Sequence, residues 1–144
     1  MESLREEYPN IVETHSPKNK VFKNSFRAFW VGGCICTIGQ ILNNVFLYYG
    51  LAQAEATSAT TTVLIMAASI LTGLNIFDKI GKYAGAGSSI PITGFANSMV
   101  SAAMEYKKEG FIYGMGAKLF TISGPVIVFG TISSVIIGII YYLL

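Results

Sequence analysis

Residues 83–110 read YAGAGSSIPITGFANSMVSAAMEYKKEG, a stretch that is apolar enough to enter a membrane but is interspersed with glycine, serine, proline, threonine and asparagine. A helix that faced lipid on all sides would not combine these residues, because Gly and Pro interrupt helices and unpaired backbone groups are costly in hydrocarbon. Irregular backbone at membrane depth is tolerated only where protein or a water-filled path surrounds it. We therefore interpret residues 83–104 as a broken segment that forms, or plugs, a conduit for a polar solute.

The composition is that of an integral membrane protein. Hydrophobic residues make up 52% of the 144 residues and charged residues 12%, about half the share that is usual in soluble domains. Between Arg27 and Asp78 the only acidic or basic side chain is Glu55, and none follows Lys118. These uncharged runs predict transmembrane helices at about residues 27–49, 58–77 and 119–142. The predicted fold class is an all-α integral membrane protein, with three transmembrane helices plus a Gly/Pro-broken re-entrant half-helix segment.

The chain divides into a polar cytoplasmic N-terminal tail, residues 1–25, and a single membrane domain, residues 26–144. In the tail, Ser3 and Glu6 match a capping box, so this region is either a short surface helix or mostly disordered. Four cations lie near the start of the first span, and by the positive-inside rule they place the N-terminus in the cytoplasm. They are Lys18, Lys20, Lys23 and Arg27.

The distribution of lysines favours a broken segment that enters and leaves the membrane on one side. Two crossings return Lys79 and Lys82 to the cytoplasmic side, and a third complete crossing would leave Lys107 and Lys108 outside. A re-entrant segment keeps every Lys and Arg on the cytoplasmic side and leaves the C-terminus outside. A full crossing is the alternative.

Within the broken segment we expect a half-helix that begins near Gly94 and is capped by Thr93. Its N-terminus would lie at membrane depth, where the positive end of the helix dipole suits a carboxylate. The candidates for lining the solute path are the small and polar residues Gly85, Gly87, Ser88, Ser89, Pro91, Thr93, Gly94, Asn97, Ser98 and Ser101. The alternative is that the glycines only allow tight packing in a kinked helix.

Small and polar residues indicate the packed faces of the three spans. In the first span, Gly32, Cys36, Gly39, Gln40 and Asn43 should face protein or water. Lipid should contact Val31, Ile35, Ile38, Leu42 and Val45 in the same span. The second span has Thr61, Ala68, Thr72 and Asn75 on one face, and the third repeats small residues at Gly130, Ser134 and Gly138, which lets another helix approach closely.

Several function classes are disfavoured. The three spans contain no acidic, basic or histidine side chain within their apolar parts, which argues against a proton-coupled transporter. The single histidine, His15, lies in the tail, and no Cys/His cluster has metal-ligand spacing, so we expect neither an enzyme nor a metal or other cofactor. GAGSSIPITG lacks the lysine of a phosphate-binding loop, and a net charge of +2 does not suggest nucleic acid. The function classes that remain are passive, gated passage of a solute and a role in assembling a membrane complex.

Two motifs resemble a known family. VGGCICTIGQ at residues 31–40 and the longer GAGSSIPITGFANSMVSAAMEYKKEG at residues 85–110 are similar to the stage V sporulation protein A (SpoVA) membrane subunits of endospore-forming bacteria. The resemblance covers the chain from about residue 20 to its end. It implies a subunit of the channel in the spore (forespore) inner membrane that moves dipicolinic acid, with calcium, during sporulation and germination.

The same resemblance implies the partners. They are membrane lipid, an AE-type membrane subunit and an AD-type soluble subunit, in a homo- or hetero-oligomer that transports dipicolinate and calcium. Two further readings stay open: a tension-gated (mechanosensitive) channel, and a non-conducting protein that anchors or assembles the same complex.

Overall fold

The computed structural model describes Tyr8, Val12 and residues 20–144, and residues 20–144 are almost entirely helical. The α-helices of this part are α1 (Val21–Tyr48), α2 (Gln53–Gly73), α3 (Phe77–Ala84), α4 (Ala86–Ser89), α5 (Ile92–Glu105) and α6 (Ala117–Leu143). A 3₁₀ turn, Tyr106–Glu109, and a π-helical turn, Phe111–Gly116, join α5 to α6. The capping box predicted at Ser3 and Glu6, and the lone His15, lie outside the described residues.

Among the described residues, three helices are long and apolar enough to cross a membrane, which confirms the predicted all-α membrane class. They are Val21–Tyr48, Gln53–Gly73 and Phe111–Leu143, the last of which combines the π-helical turn with α6. The first two begin earlier in the sequence than the predicted spans, because a helix can continue beyond the hydrocarbon where water or headgroups solvate it. The second also ends earlier, at Gly73, since Asn75 adopts a φ of 57° that a helix cannot accommodate.

The helices α1 and α2 pack against each other as an antiparallel pair. Their contacts join Gly39 to Leu64, where a Cβ built on the glycine would lie 3.4 Å from the leucine Cδ1, and Asn43 to Thr57, whose Oγ1 lies 3.4 Å from the amide Nδ2. At the start of α2, the Glu55 carboxylate accepts a 3.1 Å hydrogen bond from the Ala52 N–H. This contact satisfies a backbone donor that the first turn of a helix leaves unpaired.

The packed face of α1 is wider than the sequence predicts. Gly32, Gly39 and Asn43 are half-buried, as expected, but Val31, Ile35 and Leu42 are also half-buried, whereas Cys36 and Gln40 are exposed. The reason is that α1 contacts α2 along one side and α3 and α4 along another, so the contact surface turns around the helix. In α2, Ala68 and Thr72 are buried and Thr61 is half-buried, whereas Asn75 lies beyond the helix end and is exposed.

The core is small and is built around α2 and α5. Ala68, Phe77 and Ala96 form its buried cluster, with Ile65 and Leu71 packed against it. Most of the buried apolar residues are alanines, which allow helix backbones to approach closely. In a membrane protein, lipid covers the large apolar side chains that water would force into the core of a soluble protein.

The second half of α6 extends away from this core. Each residue from 125 to 144 is exposed, whereas Ile122, Ser123 and Gly124 are half-buried. The predicted contact residues Gly130, Ser134 and Gly138 all lie on this exposed half. A close helix contact at these residues therefore needs another chain, and it stays a prediction.

Candidate functional site

The segment after α2 is broken at two places, and they coincide with the predicted helix-breaking residues. Gly85 has φ +54° and ψ −125°, a conformation that favours glycine, and it separates α3 from α4. Pro91, with φ −61° and ψ 163°, separates α4 from α5. One continuous helix therefore does not run through residues 77–105.

The prediction that Thr93 caps the half-helix was wrong. The helix α5 begins at Ile92, directly after Pro91, because proline has no N–H to satisfy and its φ already suits the start of a helix. Thr93 lies in the first turn, where its Oγ1 is buried and has no hydrogen-bond partner among the described residues. With 14 residues, α5 is about 21 Å long, which is shorter than the roughly 30 Å hydrocarbon core.

The helix α5 runs in the same direction as α2. Asn97 lies beside Thr72, and further along both helices Ser101 and Met104 share a cleft with Asn75 and Asp78. By this register Ile92, the first residue of α5, lies level with Ala67 of α2, about 9 Å before the end of that helix. The chain must therefore turn back along α2 through α3 and α4 before α5 begins.

One polar cleft lies where α2 and α5 meet. This Asn97 cleft has a volume of about 330 Å³ and is lined by Thr72, Asn75, Asp78, Asn97, Ser101 and Met104. The Thr72 Oγ1 lies 2.9 Å from the Asn97 amide oxygen and 2.7 Å from the Ala68 carbonyl oxygen. A hydroxyl has one hydrogen, so Thr72 can donate to only one of these two oxygens. Both contacts form together when Thr72 donates to the Ala68 carbonyl and the Asn97 amide is rotated by about 180°, so that its Nδ2 donates to the Thr72 oxygen.

A second polar cleft lies on the other side of α5, against α6. This Lys118 cleft has a volume of about 380 Å³, and its polar lining is Ser98, Ser101, Glu105, Tyr106, Lys118 and Thr121. The Lys118 Nζ lies 4.5 Å from the centre of the Tyr106 ring, a cation–π contact that fixes the ammonium at one end of the cleft. Ser101 lines both clefts, so polar groups continue around α5 from α2 to α6.

The predicted lining residues separate into two groups. Asn97, Ser98 and Ser101 line the two clefts around α5, while Gly85 lines a third cleft beside α1. Ser89 is exposed and Pro91 is half-buried.

The other predicted lining residues lie in packed surroundings within this chain. Ser88 is fully buried and donates a 3.1 Å hydrogen bond to the Gly85 carbonyl, and Thr93 is buried in α5. A Cβ on Gly87 would overlap the Ala28 backbone of α1, and one on Gly94 would overlap the Ser89 backbone. At these two glycines the structure supports the alternative that they permit close packing.

The residues predicted to line the path did not include the charged residues Asp78, Lys82 and Lys118, because these lie outside the broken segment. Asp78 and Lys82 form an exposed ion pair of 2.7 Å on α3. The hydrogen bond to Asp78, and then its charge, raise the pKa of Lys82 above its usual value, so this ammonium stays charged at neutral pH. Helical periodicity could have placed Asp78 with Lys82, but only tertiary contacts bring Glu105 and Lys118 to one cleft.

Metal-binding side chains are dispersed in the part of the chain that the structure describes. Within that part, no three His, Cys, Asp or Glu residues lie close enough to hold a metal ion. Cys34 and Cys36 are both exposed free thiols on α1. The clefts instead offer hydroxyl, amide, carboxylate and ammonium groups, which can bind polar solutes without a resident metal.

Comparisons with known proteins agree with the resemblance found in the motifs. The family described as SpoVAC/SpoVAEB sporulation membrane protein matches residues 24–140. Stage V sporulation protein AC of Bacillus subtilis (strain 168) is 44% identical over 143 residues, which cover 99% of this chain and 95% of that protein. No solved structure matches. The chain therefore belongs to the SpoVAC/SpoVAEB family of sporulation membrane proteins.

Proposed function

We propose that this chain is a subunit of a spore inner-membrane channel through which dipicolinate, with calcium, passes passively when a gate opens. Membership of a sporulation membrane family supports the setting. The observation that carries the proposal is the short helix α5, which runs parallel to α2 with polar clefts on both sides. Hydroxyl, amide and charged groups placed along an interrupted segment are expected where a solute path passes through a membrane.

The proposed topology follows from charge and register together. The tail lies in the cytoplasm, α1 crosses outward, α2 returns, the broken segment re-enters from the cytoplasmic side, and α6 crosses to an external C-terminus. The parallel register of α2 and α5 supports this path, because Glu105 then returns to the side on which Asp78 lies. Every Lys and Arg of the chain lies on the cytoplasmic side in this arrangement, as the positive-inside rule favours.

The groups in the clefts suit a solute that carries both signs of charge. Dipicolinate is a planar dianion, so the Asn97 amide can donate to its carboxylates, and Lys118 adds a cation. The Ser98 and Ser101 hydroxyls can also donate to it once they turn from the Phe95 and Ser98 carbonyls that they bond in this structure. Asp78 and Glu105 provide carboxylate oxygens of the kind that calcium prefers. In this proposal the solute passes as a nearly neutral ion pair, which lowers the cost of leaving water.

Several copies or partner subunits are needed to enclose the path. The clefts of one chain open at its surface, and the second half of α6 is exposed along its length. In this proposal Gly130, Ser134 and Gly138 contact a neighbouring helix, either of a second copy or of an AE-type subunit, and an AD-type soluble subunit binds the assembled complex.

Reconstitution tests the function directly. The purified full-length chain, alone and with partner subunits, would be placed in liposomes loaded with calcium dipicolinate. We expect release that falls in an Asn97→Ala variant and persists in Asn44→Ala, since Asn44 bonds only to Gln40 on the exposed face of α1 among the described residues. Release only after osmotic downshift would favour the tension-gated channel, and no release with all partners present would favour the assembly protein.

A further inference from the structure

The third cleft lies between the first two turns of α1 and the junction of α3 with α4. This Arg27 cleft has a volume of about 480 Å³, and its polar side chains are Asn24, Ser25, Arg27, Lys82 and Tyr83. Its other walls are Val21 and the alanines on either side of Gly85, together with Ala28. None of its lining residues, all of which lie in the described part of the chain, is acidic. The cleft is therefore basic on one side and apolar on the other.

The two cations are held differently. The Arg27 guanidinium carbon lies 4.7 Å from the centre of the Tyr83 ring, and Arg27 is half-buried, so it is fixed across the cleft by a cation–π contact. Lys82 is exposed and forms the ion pair with Asp78, which is not one of the residues that line the cleft. An anion in the cleft would gain a positioned guanidinium together with a flexible ammonium that it shares with Asp78.

The length of α1 places this cleft at the level of the lipid headgroups. The helix has 28 residues and is about 42 Å long, whereas the hydrocarbon core is about 30 Å thick. The uncharged residues 28–48 alone extend about 31 Å and fill the core. Residues 21–27 then extend about 10 Å into the headgroup layer on the side of the N-terminus.

Exposed aromatic side chains lie at the same level as the cleft, three of them on another face of α1. Phe22, Phe26 and Phe29 on α1 are 90%, 66% and 78% exposed, and Tyr83 is 54% exposed. Large apolar groups so exposed close to Lys20 and Lys23 are expected to contact lipid at the membrane interface, not water. These aromatic groups support the interfacial level, and the apolar wall that a ligand meets inside the cleft is that of Val21 and the alanines.

We propose that the Arg27 cleft binds the phosphate of an anionic phospholipid headgroup from the leaflet on the side of the N-terminus, with Arg27 and Lys82 as its cationic contacts. Basic pockets between membrane helices on the cytoplasmic side are suited to such headgroups. Asn24 and Ser25 add polar contacts for the glycerol or the phosphate, and the apolar wall receives the start of the acyl chains. The lipid would then bridge α1 to the broken segment, so its binding stabilises the position of α4.

The test measures lipid affinity of the full-length protein in a neutral detergent. The melting temperature would be followed during titration with phosphatidylglycerol, phosphatidylcholine or inorganic phosphate, because a ligand that binds the folded state raises it. We expect phosphatidylglycerol to raise the melting temperature at concentrations where the other two have no effect. The double variant R27Q/K82Q should bind phosphatidylglycerol about 25-fold more weakly, since each cation near a membrane surface contributes about fivefold.

A matched control removes the same charge elsewhere. Lys107 and Lys108 are exposed in the turn after α5, outside the Arg27 cleft, so K107Q/K108Q should bind phosphatidylglycerol as the unmodified protein does. The variant Ala86→Leu narrows the cleft without changing any charge, at an exposed position that tolerates a larger side chain, and it should also lose lipid affinity. If R27Q/K82Q fails to fold, the lipid affinity of Ala86→Leu shows whether the lipid binds in the Arg27 cleft.

Each other outcome overturns the proposal. Equal weakening in the two double variants would mean that overall surface charge, and not the cleft, attracts the lipid. Equal stabilisation by phosphatidylcholine would mean that the headgroup charge is not recognised. Equal stabilisation by inorganic phosphate would identify a site for a soluble anion, and normal lipid affinity in Ala86→Leu would place the lipid elsewhere.

Discussion

Asn97 on α5 lies 2.9 Å from the hydroxyl oxygen of Thr72 on α2, and this contact sets the register between the broken segment and a membrane-spanning helix. Both side chains line the Asn97 cleft, so the same pair joins two helices and presents polar groups to a cavity. Thr72 is buried and Asn97 is half-buried. A polar pair in such a position contributes to stability, and in the proposed function it is also where the solute meets the protein.

The hydrogen bond between Asn97 and Thr72 should make a small contribution to the free energy of unfolding. We expect a coupling free energy of about 0.6 kcal/mol between Asn97→Ala and Thr72→Val, because hydrogen bonds between membrane helices are typically of this size. The measurement is a double-mutant cycle of unfolding in mixed micelles. The same cycle at Gln40 and Asn44, whose side chains bond to each other within α1, gives the coupling free energy of a pair that joins no two helices. A coupling near zero would contradict the assigned contact.

The close approach of α4 to α1 requires glycine at residue 87. A methyl group there would overlap the Ala28 backbone, so Gly87→Ala should lower the free energy of unfolding by about 1–3 kcal/mol. In the control Gly33→Ala, no described atom lies within 4 Å of the added carbon. That substitution should raise stability by about 0.5–1 kcal/mol, because alanine favours helix. Equal effects of the two changes would show that α4 does not pack on α1 as described.

The exposed half of α6 predicts a contact between chains. Ser134 lies between Gly130 and Gly138 on the small-residue face, whereas its neighbour Ser133 points about 100° away around the helix. Ser134→Leu should therefore shift the assembly to smaller species, and Ser133→Leu should not. The protein mass of the complex in detergent would be measured by light scattering, after the mass of bound lipid and detergent is subtracted. Dissociation by both variants, or by neither, would argue against this face.

The proposed topology predicts that the two ends of the chain lie on opposite sides of the membrane. A tag after Leu144 should be digested by protease added outside intact cells, while a tag before Met1 should be protected. The physical reason is that a re-entrant segment adds no crossing, so three spans separate the ends. A protected tag at Leu144 would mean that residues 83–104 cross completely.

Residue patterns within single helices predicted much of this fold. What they did not predict is mainly how the helices are aligned against one another. The uncharged runs on either side of Glu55 and after Lys118 led to three membrane helices, since charge is expensive in hydrocarbon wherever the helix packs. Gly85 and Pro91 marked the interruptions because their backbone preferences are local. Periodicity within one helix carries no information on which residues of two helices meet.

Two expectations were wrong for different reasons, one tertiary and one local. Val31 and Ile35 were expected to face lipid, but they are half-buried because α1 packs on α3 and α4 as well as on α2. Thr93 was expected to cap α5, but the preceding proline starts the helix before it. The polar clefts likewise depend on α6 lying beside α5, which brings Lys118 to Glu105 across a turn that no pattern in either helix specifies.

Cysteine accessibility shows directly whether water reaches the clefts around α5. Single cysteines at Ser101, Asn97 and Ser88 would be introduced into a chain with Cys34 and Cys36 replaced by alanine, and labelled in the assembled complex with a membrane-impermeant thiol reagent. We expect fast labelling at residues 101 and 97, which line the clefts, and protection at residue 88, which is fully buried. Protection at all three positions would contradict a solvated path through this segment.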